Sequence, residues 1–501
     1  MVGSGAALED GTSLVTSRSG DYAPAWSGLR ASILPAQSVT VLRLAAGFCR
    51  SISNLSEERT MGDFPREDGY RGIWFTLGQY LGEEHLYGDK YSGGLGTYTA
   101  KHVPLAVYSP EVGKTFFVYG ASKDHKRHLL AMASYYDHTT GLVPRPTVVH
   151  DKGGVDDPHD NPSICIDEYG HVWIFVSGRG QTRPGYKYRS VDPYSVDAFE
   201  QVSEEELTYP QPWWIEGRGF LHLFTKYTGV RELYWNKSPD GRQWTEHRKL
   251  AGIEGHYQTS RQRGNRVITA FNMHPEGKPD RRTNLYYVET SDRGDTWQKA
   301  DGQRVETPMT DKHCPALIRD FEAEGRLVYM KDINFDSAGN PVILVITSAD
   351  HRAGPSGEPR EWTLCQWLGD RWDFRVVTTS THNYDMGSLY IDGAVWRIIA
   401  PTEPGPQVHG TGGEMALWLS ENAGQTWEKR RSITHDSPLN HAYARRPVNA
   451  HPDFYAFWAD GNPFDFSESR LYFTNQAGDQ VWRLPDTMTT DFARPEPIAG
   501  R

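Results

Sequence analysis

The chain has 501 residues, a formal net charge of −11, and 16 Trp, 26 Tyr, 49 Gly and 31 Pro. That charge excludes the basic stripe with which a nucleic-acid surface displaces counterions, and no stretch reaches the ~20 apolar residues of a membrane-spanning helix. Four cysteines (Cys49, Cys165, Cys314 and Cys365) are too dispersed for a disulfide framework, and no long run of period 3.6 predicts a helix, so aromatic residues mixed with Gly and Pro predict many short strands and tight turns.

Residues 1–60 are rich in Ser, Gly and Ala and are expected to form a disordered extension, with Met61 an alternative start and 61–501 the folded domain. The apolar patch from Val39 to Cys49 is interrupted by Arg43 and lies too far from the N-terminus for a signal peptide. The cytoplasm is therefore the default compartment, with the periplasm or exterior left open. The segment YRGIWFTLG (residues 70–78) is expected to donate a strand to the last repeat and close a ring.

From there one theme recurs: an apolar strand, a Gly-containing turn, a second strand, and a third that ends in polar residues. The units begin at His102 (HVPLAVYS, KTFFVYG, LLAMASYY), Asn161 (NPSICID, HVWIFVSG, YKYRS) and Tyr209 (YPQPWWIE, GFLHLFTKY, ELYWNKS). They continue at Tyr257 (YQTSRQ, NRVITAFNMH, NLYYVETSD), His313 (HCPALIRD, GRLVYMKD, PVILVITS), Tyr384 (YDMGSLYID, AVWRIIAPT, MALWLSE) and His441 (HAYARRPV, DFYAFWAD, RLYFTNQ). Seven units at a spacing of about 50 residues predict an all-β, seven-bladed β-propeller, because a four-stranded sheet of this kind buries its faces only against its neighbours. Three Asp-box turns support this: TSDRGDTW (Thr290–Trp297), SENAGQTW (Ser420–Trp427) and the shortened SPDGRQW (Ser238–Trp244). They are structural and lie away from the substrate face.

In such a blade the first residue of strand one lies beside the last residue of strand two. The first positions here are His102, His159, Tyr209, His256 with Tyr257, His313, His382 with Tyr384, and His441, and the matching strand-two ends carry Arg179, Lys226 and His274. A ring of imidazole, phenol and cation packs a core poorly, but it suits the binding and deprotonation of an acidic sugar. The alternative for His159 is an inter-strand hydrogen bond that holds the DDPHDNP turn.

The blocks DDPHDNPSICIDEYGHVWIF, LTYPQPWW with LHLFTKY, and GHYQTS resemble the propeller polysaccharide lyases, namely the ulvan lyases and the related rhamnose–glucuronate lyases. The resemblance covers about residues 68–480 and is most specific at the His-x-Asn-Pro and Tyr-Pro blocks. It implies that His159 is the base, Tyr209 the acid (or acid and base together), and Tyr257 a further substrate contact, with His102 and Arg261 as other candidate substrate-binding residues. Two positions depart from the pattern: Arg179 stands where the family has a second His, and Lys226 where it has the neutralising Arg. β-Elimination removes the C5 proton of a uronate and expels the group on C4, so a cation must quench the carboxylate. Arg179 would do this as a bidentate fork and Lys226 as a point charge. The partner implied is an acidic, uronate-containing polysaccharide or oligosaccharide.

A second constellation, His256, His274, Cys314 and His382, comes from three consecutive units at strand termini near the axis. Three imidazoles and a thiolate make a closed tetrahedral set, expected to hold a structural zinc, as some ulvan lyases do; no organic cofactor is expected. The alternative is independent His side chains and a buried thiol. Two rival functions stand beside the lyase. A sialidase-type hydrolase would need three Arg on a carboxylate, a Tyr–Glu pair and an Arg-Ile-Pro type motif, where the first unit has His102-Val-Pro, and the strand starts lack the Asp/Glu pair of a two-carboxylate hydrolase. A non-catalytic glycan-binding propeller would use the same aromatic funnel without chemistry.

Overall fold

The computed structural model describes residues 64–498, except 74, 78–86, 88, 89, 93, 94 and 96–100, and the extension expected over 1–60 lies outside them. Runs such as KTFFVYGAS (Lys114–Ser122) and TNLYYVET (Thr283–Thr290) are apolar on both sides of the strand and buried almost throughout. A sheet made of such strands has to be covered on both faces. The chain meets this demand with seven antiparallel sheets of four or more strands each, arranged as a seven-bladed β-propeller. The inner strands are Ala106–Ser109, Pro162–Ile166, Thr208–Ile215, Gln258–Arg263, Leu327–Phe335, Ser388–Asp392 and Asn440–Arg445. Outer strands such as Glu428–Ser432 are exposed at every position. The upper end of the axis is defined here as the one where inner strands begin. The second strand of each blade returns to it, the third leaves from it, and the turns after third strands lie at the lower end.

Blade 5 differs from its expected unit. HCPALIRD is not its inner strand. Leu317–Arg319 instead pairs with Leu285 and Tyr286 of blade 4, and blade 5 runs inner to outer through Leu327–Phe335, Pro341–Ser348, Arg360–Trp367 and Trp372–Ser380. The reason lies in blade 4. Its fourth strand is only Trp297–Gln298 and reaches Thr283–Thr290 at Glu289 alone. The rest of that edge would be left with open backbone groups, and Leu317–Arg319 fills it. His313 is consequently exposed and Cys314 sits at the outside of blade 4, away from the axis.

Closure also departs from expectation. The described residues of the segment 70–78 do not add a strand to blade 7. Gly72 N–H donates to Ser469 O at 2.8 Å and Ile73 N–H to Gly120 O at 3.0 Å, so the segment spans blades 7 and 1. Phe75–Leu77 then pairs with Lys90–Ser92 in a separate two-stranded sheet. Near the C-terminus, Phe492–Ala493 pairs with Val143–Pro144 beside blade 1.

The Asp-boxes form as expected. In the best of them Gly294 N–H donates to Thr290 Oγ1 (2.8 Å), Thr296 N–H to Asp292 Oδ1 (2.9 Å), and Trp297 packs edge-on to Trp235 of blade 3 at 5.5 Å between ring centroids. Gly294 has φ +83°, and a Cβ there would lie 2.3 Å from Trp235 Nε1. Gly294→Ala should therefore clash with an inter-blade ring as well as strain the backbone. The expected outcome is a loss of about 1–3 kcal/mol, read as a lower denaturant midpoint at unchanged slope.

Candidate active site

The sequence Asp157-Pro158-His159-Asp160 folds as a single 3₁₀ turn just before the inner strand of blade 2. Asp157 caps it by accepting His159 N–H at 3.0 Å, with Pro158 in the first position. The same carboxylate accepts from His159 Nδ1, from Arg179 Nη1 (2.7 Å) and from Arg183 Nη2 (2.6 Å). Burial works to raise the Asp157 pKa, but His159, Arg179 and Arg183 outweigh it and hold the group far below the carboxylate range. An ionised carboxylate only accepts, so Asp157 draws the imidazole proton to Nδ1 and leaves the lone pair on Nε2, while Arg179 Nη1, 3.1 Å from the same Nδ1, donates to the carboxylate at 2.7 Å. Burial pushes His159 down to about 3, with Asp157 opposing and Arg179 and Lys101 adding to the shift, so the ring is neutral at ordinary pH. Asp160 is held beneath it by Lys152 (2.9 Å) and Arg183 (2.7 Å). Asp157 and Asp160 of the DDPHD run are thus engaged by cations, and the run folds as a turn.

Tyr209 lies beside this turn. It has φ +54° within a bulge of the inner strand, an unusual conformation for a bulky residue. Its ring is 5.8 Å from His159, 5.5 Å from His102 and 5.9 Å from Tyr257. The Lys101 ammonium lies between the two phenols, 4.3 Å from the Tyr209 ring centre and 3.1 Å from that of Tyr257. His102 donates from Nε2 to the His159 carbonyl (3.0 Å), and its Nδ1 is buried with no hydrogen-bond partner among the described residues. His159, Tyr209, Tyr257 and His102 are thus brought together as expected.

Beyond Tyr257 lie two groups with unfilled hydrogen-bonding capacity. The His274 ring is 4.3 Å from that of Tyr257, and neither nitrogen has a partner among the described residues. Arg282 is fully buried and its guanidinium stacks on Tyr257, Tyr384 and Tyr329 at 4.5, 4.8 and 5.0 Å. Its Nε donates to Pro279 O (2.7 Å), but both terminal nitrogens are orphaned among the described residues. Sequence reasoning missed Arg282, Lys101, Asp157 and Arg183. Arg282 carried a usable signal. It precedes the third strand of blade 4, which starts at the upper end just as the second strand finishes there.

Two expected placements differ. Lys226 does not join this group: its ammonium pairs with Glu206 at 3.5 Å and lies over Tyr234. Arg261 points into the channel below the mouth, where it lines a lower cavity of about 540 Å³ with Arg263, Asp336 and Asn449. Burial and Arg446 push Arg261 down to about 9. Arg179 is in place, but Asp157 already engages its Nη1.

The expected zinc set does not assemble. His256 donates from Nδ1 to Asn272 O (2.8 Å) and accepts Ile253 N–H at Nε2 (3.0 Å), so both nitrogens are committed. His382 Nδ1 accepts Tyr384 N–H at 3.1 Å. Cys314 lies off the axis because its segment serves blade 4, and burial raises its thiol pKa. Among the described residues, no three of these donors lie within 4.8 Å of one another. The four residues do not fit a zinc ion.

A model of a BNR repeat-containing family member matches residues 122–386. The chain belongs to the BNR repeat-containing family. An ulvan lyase of Nonlabens ulvanivorans is 24% identical over 340 residues, which is 59% of this chain and 69% of the relative. An ulvan lyase of Alteromonas sp. (strain LOR) is 20% identical over 356 residues, 60% of this chain and 69% of the relative. A solved ulvan lyase structure, described as a new family of polysaccharide lyase, superposes with a TM-score of 0.64 at 15% identity, covering 83% of this chain and 96% of that one. Its complex with -[GlcA(1-4)Rha3S]- superposes with a TM-score of 0.63 at 15% identity, covering 82% and 96% of the two chains.

The BNR-family propeller buries many neutral imidazoles. Burial holds His159 at about 3 and His138, His150 and His256 at about 4, and it lowers His102, His222, His274 and His441 as well. Below the ordinary imidazole pKa of 6.5 the unfolded chain binds protons that the fold refuses, so stability falls with pH through this window. Asp385 and Asp460, raised by burial, act in the opposite sense but are outnumbered. The midpoint of thermal unfolding should therefore drop steadily from about pH 6.5 to 4.5, with net proton uptake on unfolding measured by calorimetry in buffers of different ionisation enthalpy. A flat profile would contradict this account.

Proposed function

We propose that this chain is a polysaccharide lyase that cleaves the glycosidic bond at C4 of a uronic acid by β-elimination, acting on an acidic, uronate-containing glycan. The observation that carries the reading is the meeting, at the upper end of one axis, of an imidazole with a fixed tautomer, a phenol and a guanidinium with unfilled donors. The relatives named above are ulvan lyases, which supports ulvan-like glucuronate–rhamnose chains as the substrate class.

In the proposed reaction His159 Nε2 takes the C5 proton, the C4–O bond breaks as a C4=C5 double bond forms, and Tyr209 gives its phenolic proton to the departing oxygen. Asp157 holds the His159 Nδ1 proton in place and stabilises the imidazolium, so the correct nitrogen faces the substrate. Arg282 and Lys101 neutralise the carboxylate where charge builds in the transition state. This reassigns the expected role of Lys226, while Arg179 serves mainly to anchor Asp157. The aromatic rings of Tyr209 and Tyr257 shape the subsite.

The carboxylates near this mouth argue against a two-carboxylate hydrolase. Asp157 and Asp160 are ion-paired, and Asp280 accepts the Tyr384 hydroxyl at 2.5 Å. Asp385, which burial raises to about 7, is fully buried and accepts the backbone N–H groups of His382 and Gly412, so it has no open carboxylate partner among these three.

Incubation with glucuronate–rhamnose polysaccharides should generate the ultraviolet absorbance of an unsaturated uronate; reducing ends without that absorbance would indicate hydrolysis instead. His159→Ala and Tyr209→Phe should each lower the rate by about 10²–10⁴-fold. Arg282→Met should lower it by about 10²–10³-fold while leaving the unfolding midpoint equal or higher, since a buried cation whose two terminal nitrogens lack hydrogen bonds among the described residues costs the free fold stability. An Arg282→Met protein that is both active and less stable would make Arg282 a packing residue.

A further inference from the structure

At the lower end, on the opposite face from the proposed lyase site, lies a cluster that plays no part in that chemistry. His138 sits in the turn after the third strand of blade 1 (Leu129–Asp137), and His451 and Asp453 lie in the connection between Asn440–Arg445 and Ala456–Gly461 of blade 7. The two imidazole centroids are 3.8 Å apart. Tyr108 packs on both rings and Tyr136 on His138. His138 Nε2 contacts Thr115 Oγ1 at 2.8 Å, while its Nδ1 is buried without a hydrogen-bond partner among the described residues. Asp453 Oδ2 lies 3.8 Å from His451 Nδ1. One donor atom from each of the three residues lies within 4.8 Å of the others, and among the described residues this is the group with that property.

We propose that His138, His451 and Asp453 form a binding site for a divalent transition-metal ion, zinc foremost, that clamps blade 7 to blade 1. Two imidazoles and one carboxylate suit zinc and its neighbours and are a poor set for calcium or magnesium, which take all-oxygen cages. Tetrahedral zinc bonds of 2.0–2.1 Å put donors roughly 3.3 Å apart, so the cluster needs only a small contraction. The exposed Asp453 carboxylate, 67% accessible, is free to supply it. A water would complete the coordination. The location gives the ion a task. Backbone contacts across this seam are few among the described residues: the Gly72 bridge, the pairing of Tyr108 N with Val448 O and of Val448 N with Ala106 O, and the short pairing of Phe492–Ala493 with Val143–Pro144. Packing alone leaves two imidazoles tilted at 45° in close contact and an orphaned nitrogen without an explanation.

The test uses the full chain, stripped with chelator and titrated with Zn²⁺ alone. One equivalent should bind, the unfolding midpoint should rise on loading, and Co²⁺ in its place should give the visible bands of a tetrahedral site. Asp453→Asn, an exposed change that keeps the fold, and His138→Ala should each weaken binding by at least ~100-fold and abolish the gain in midpoint. Absence of binding by the unaltered chain, or binding and stabilisation that persist in both variants, would overturn the proposal. Turnover of a uronate glycan, at the other end of the axis, should be the same for the Asp453→Asn and unaltered proteins, so failure here is separable from failure of the lyase reading.

Discussion

Each blade is apolar on both faces and has only its neighbours to bury them, so no sheet of this protein is stable until the ring is closed. That demand selects the residues along the strands: Lys114–Ser122, Thr283–Thr290 and Pro341–Ser348 are buried almost end to end. It also creates the axis. Once the inner strands stand side by side, everything at their upper ends faces one mouth and everything at their lower ends faces the other. Function has two separate ends to occupy, and neither end has to contribute to the core.

The upper mouth shows what that freedom costs. Arg282 is wholly buried on three tyrosine rings, and both its terminal nitrogens lack partners among the described residues. Cation–π contact recovers part of the desolvation penalty, about 0.5–2 kcal/mol per ring in comparable sites, but a guanidinium without its hydrogen bonds remains expensive. Asp157 illustrates the contrary arrangement. It receives an imidazole and two guanidinium groups, and this satisfied cluster fixes the direction of His159. The rigid half of the site orients the base; the unsatisfied half waits for an anion.

Much of this was legible because local sequence determines it. Strand runs, Asp-box turns and the histidines and tyrosines at inner-strand starts all depend on residues within a few positions of each other, and His159, Tyr209, Tyr257 and His102 converge as their places in the repeat required. What was illegible depends on partners distant in sequence. Leu317–Arg319 looks like an inner strand until the short fourth strand of blade 4 leaves an edge to fill. Moving it removes Cys314 from the axis and with it the expected zinc set. Lys226 stands at a correct strand end, yet Glu206 claims its charge. Arg282 stands just before a third strand, which begins at the same mouth as the first strands but carries no repeat signal of its own there.

A base whose pKa is pressed to about 3 would by itself be a weak one. The groups around it supply the resolution. After burial, the forces that depress His159 include the positive charges of Arg179 and Lys101, and Lys101 and Arg282 are also the cations in contact with Tyr257. A uronate carboxylate seated against those cations cancels the field that disfavours the imidazolium, while Asp157 continues to favour it. In the proposed reaction the proton affinity of His159 would therefore rise when an acidic sugar is bound and fall when it leaves. Under the proposed lyase reading, placing these cations and His159 in one low-dielectric mouth would couple two requirements of β-elimination: the acidity of C5 and the basicity of Nε2 would both increase through the same ion pair.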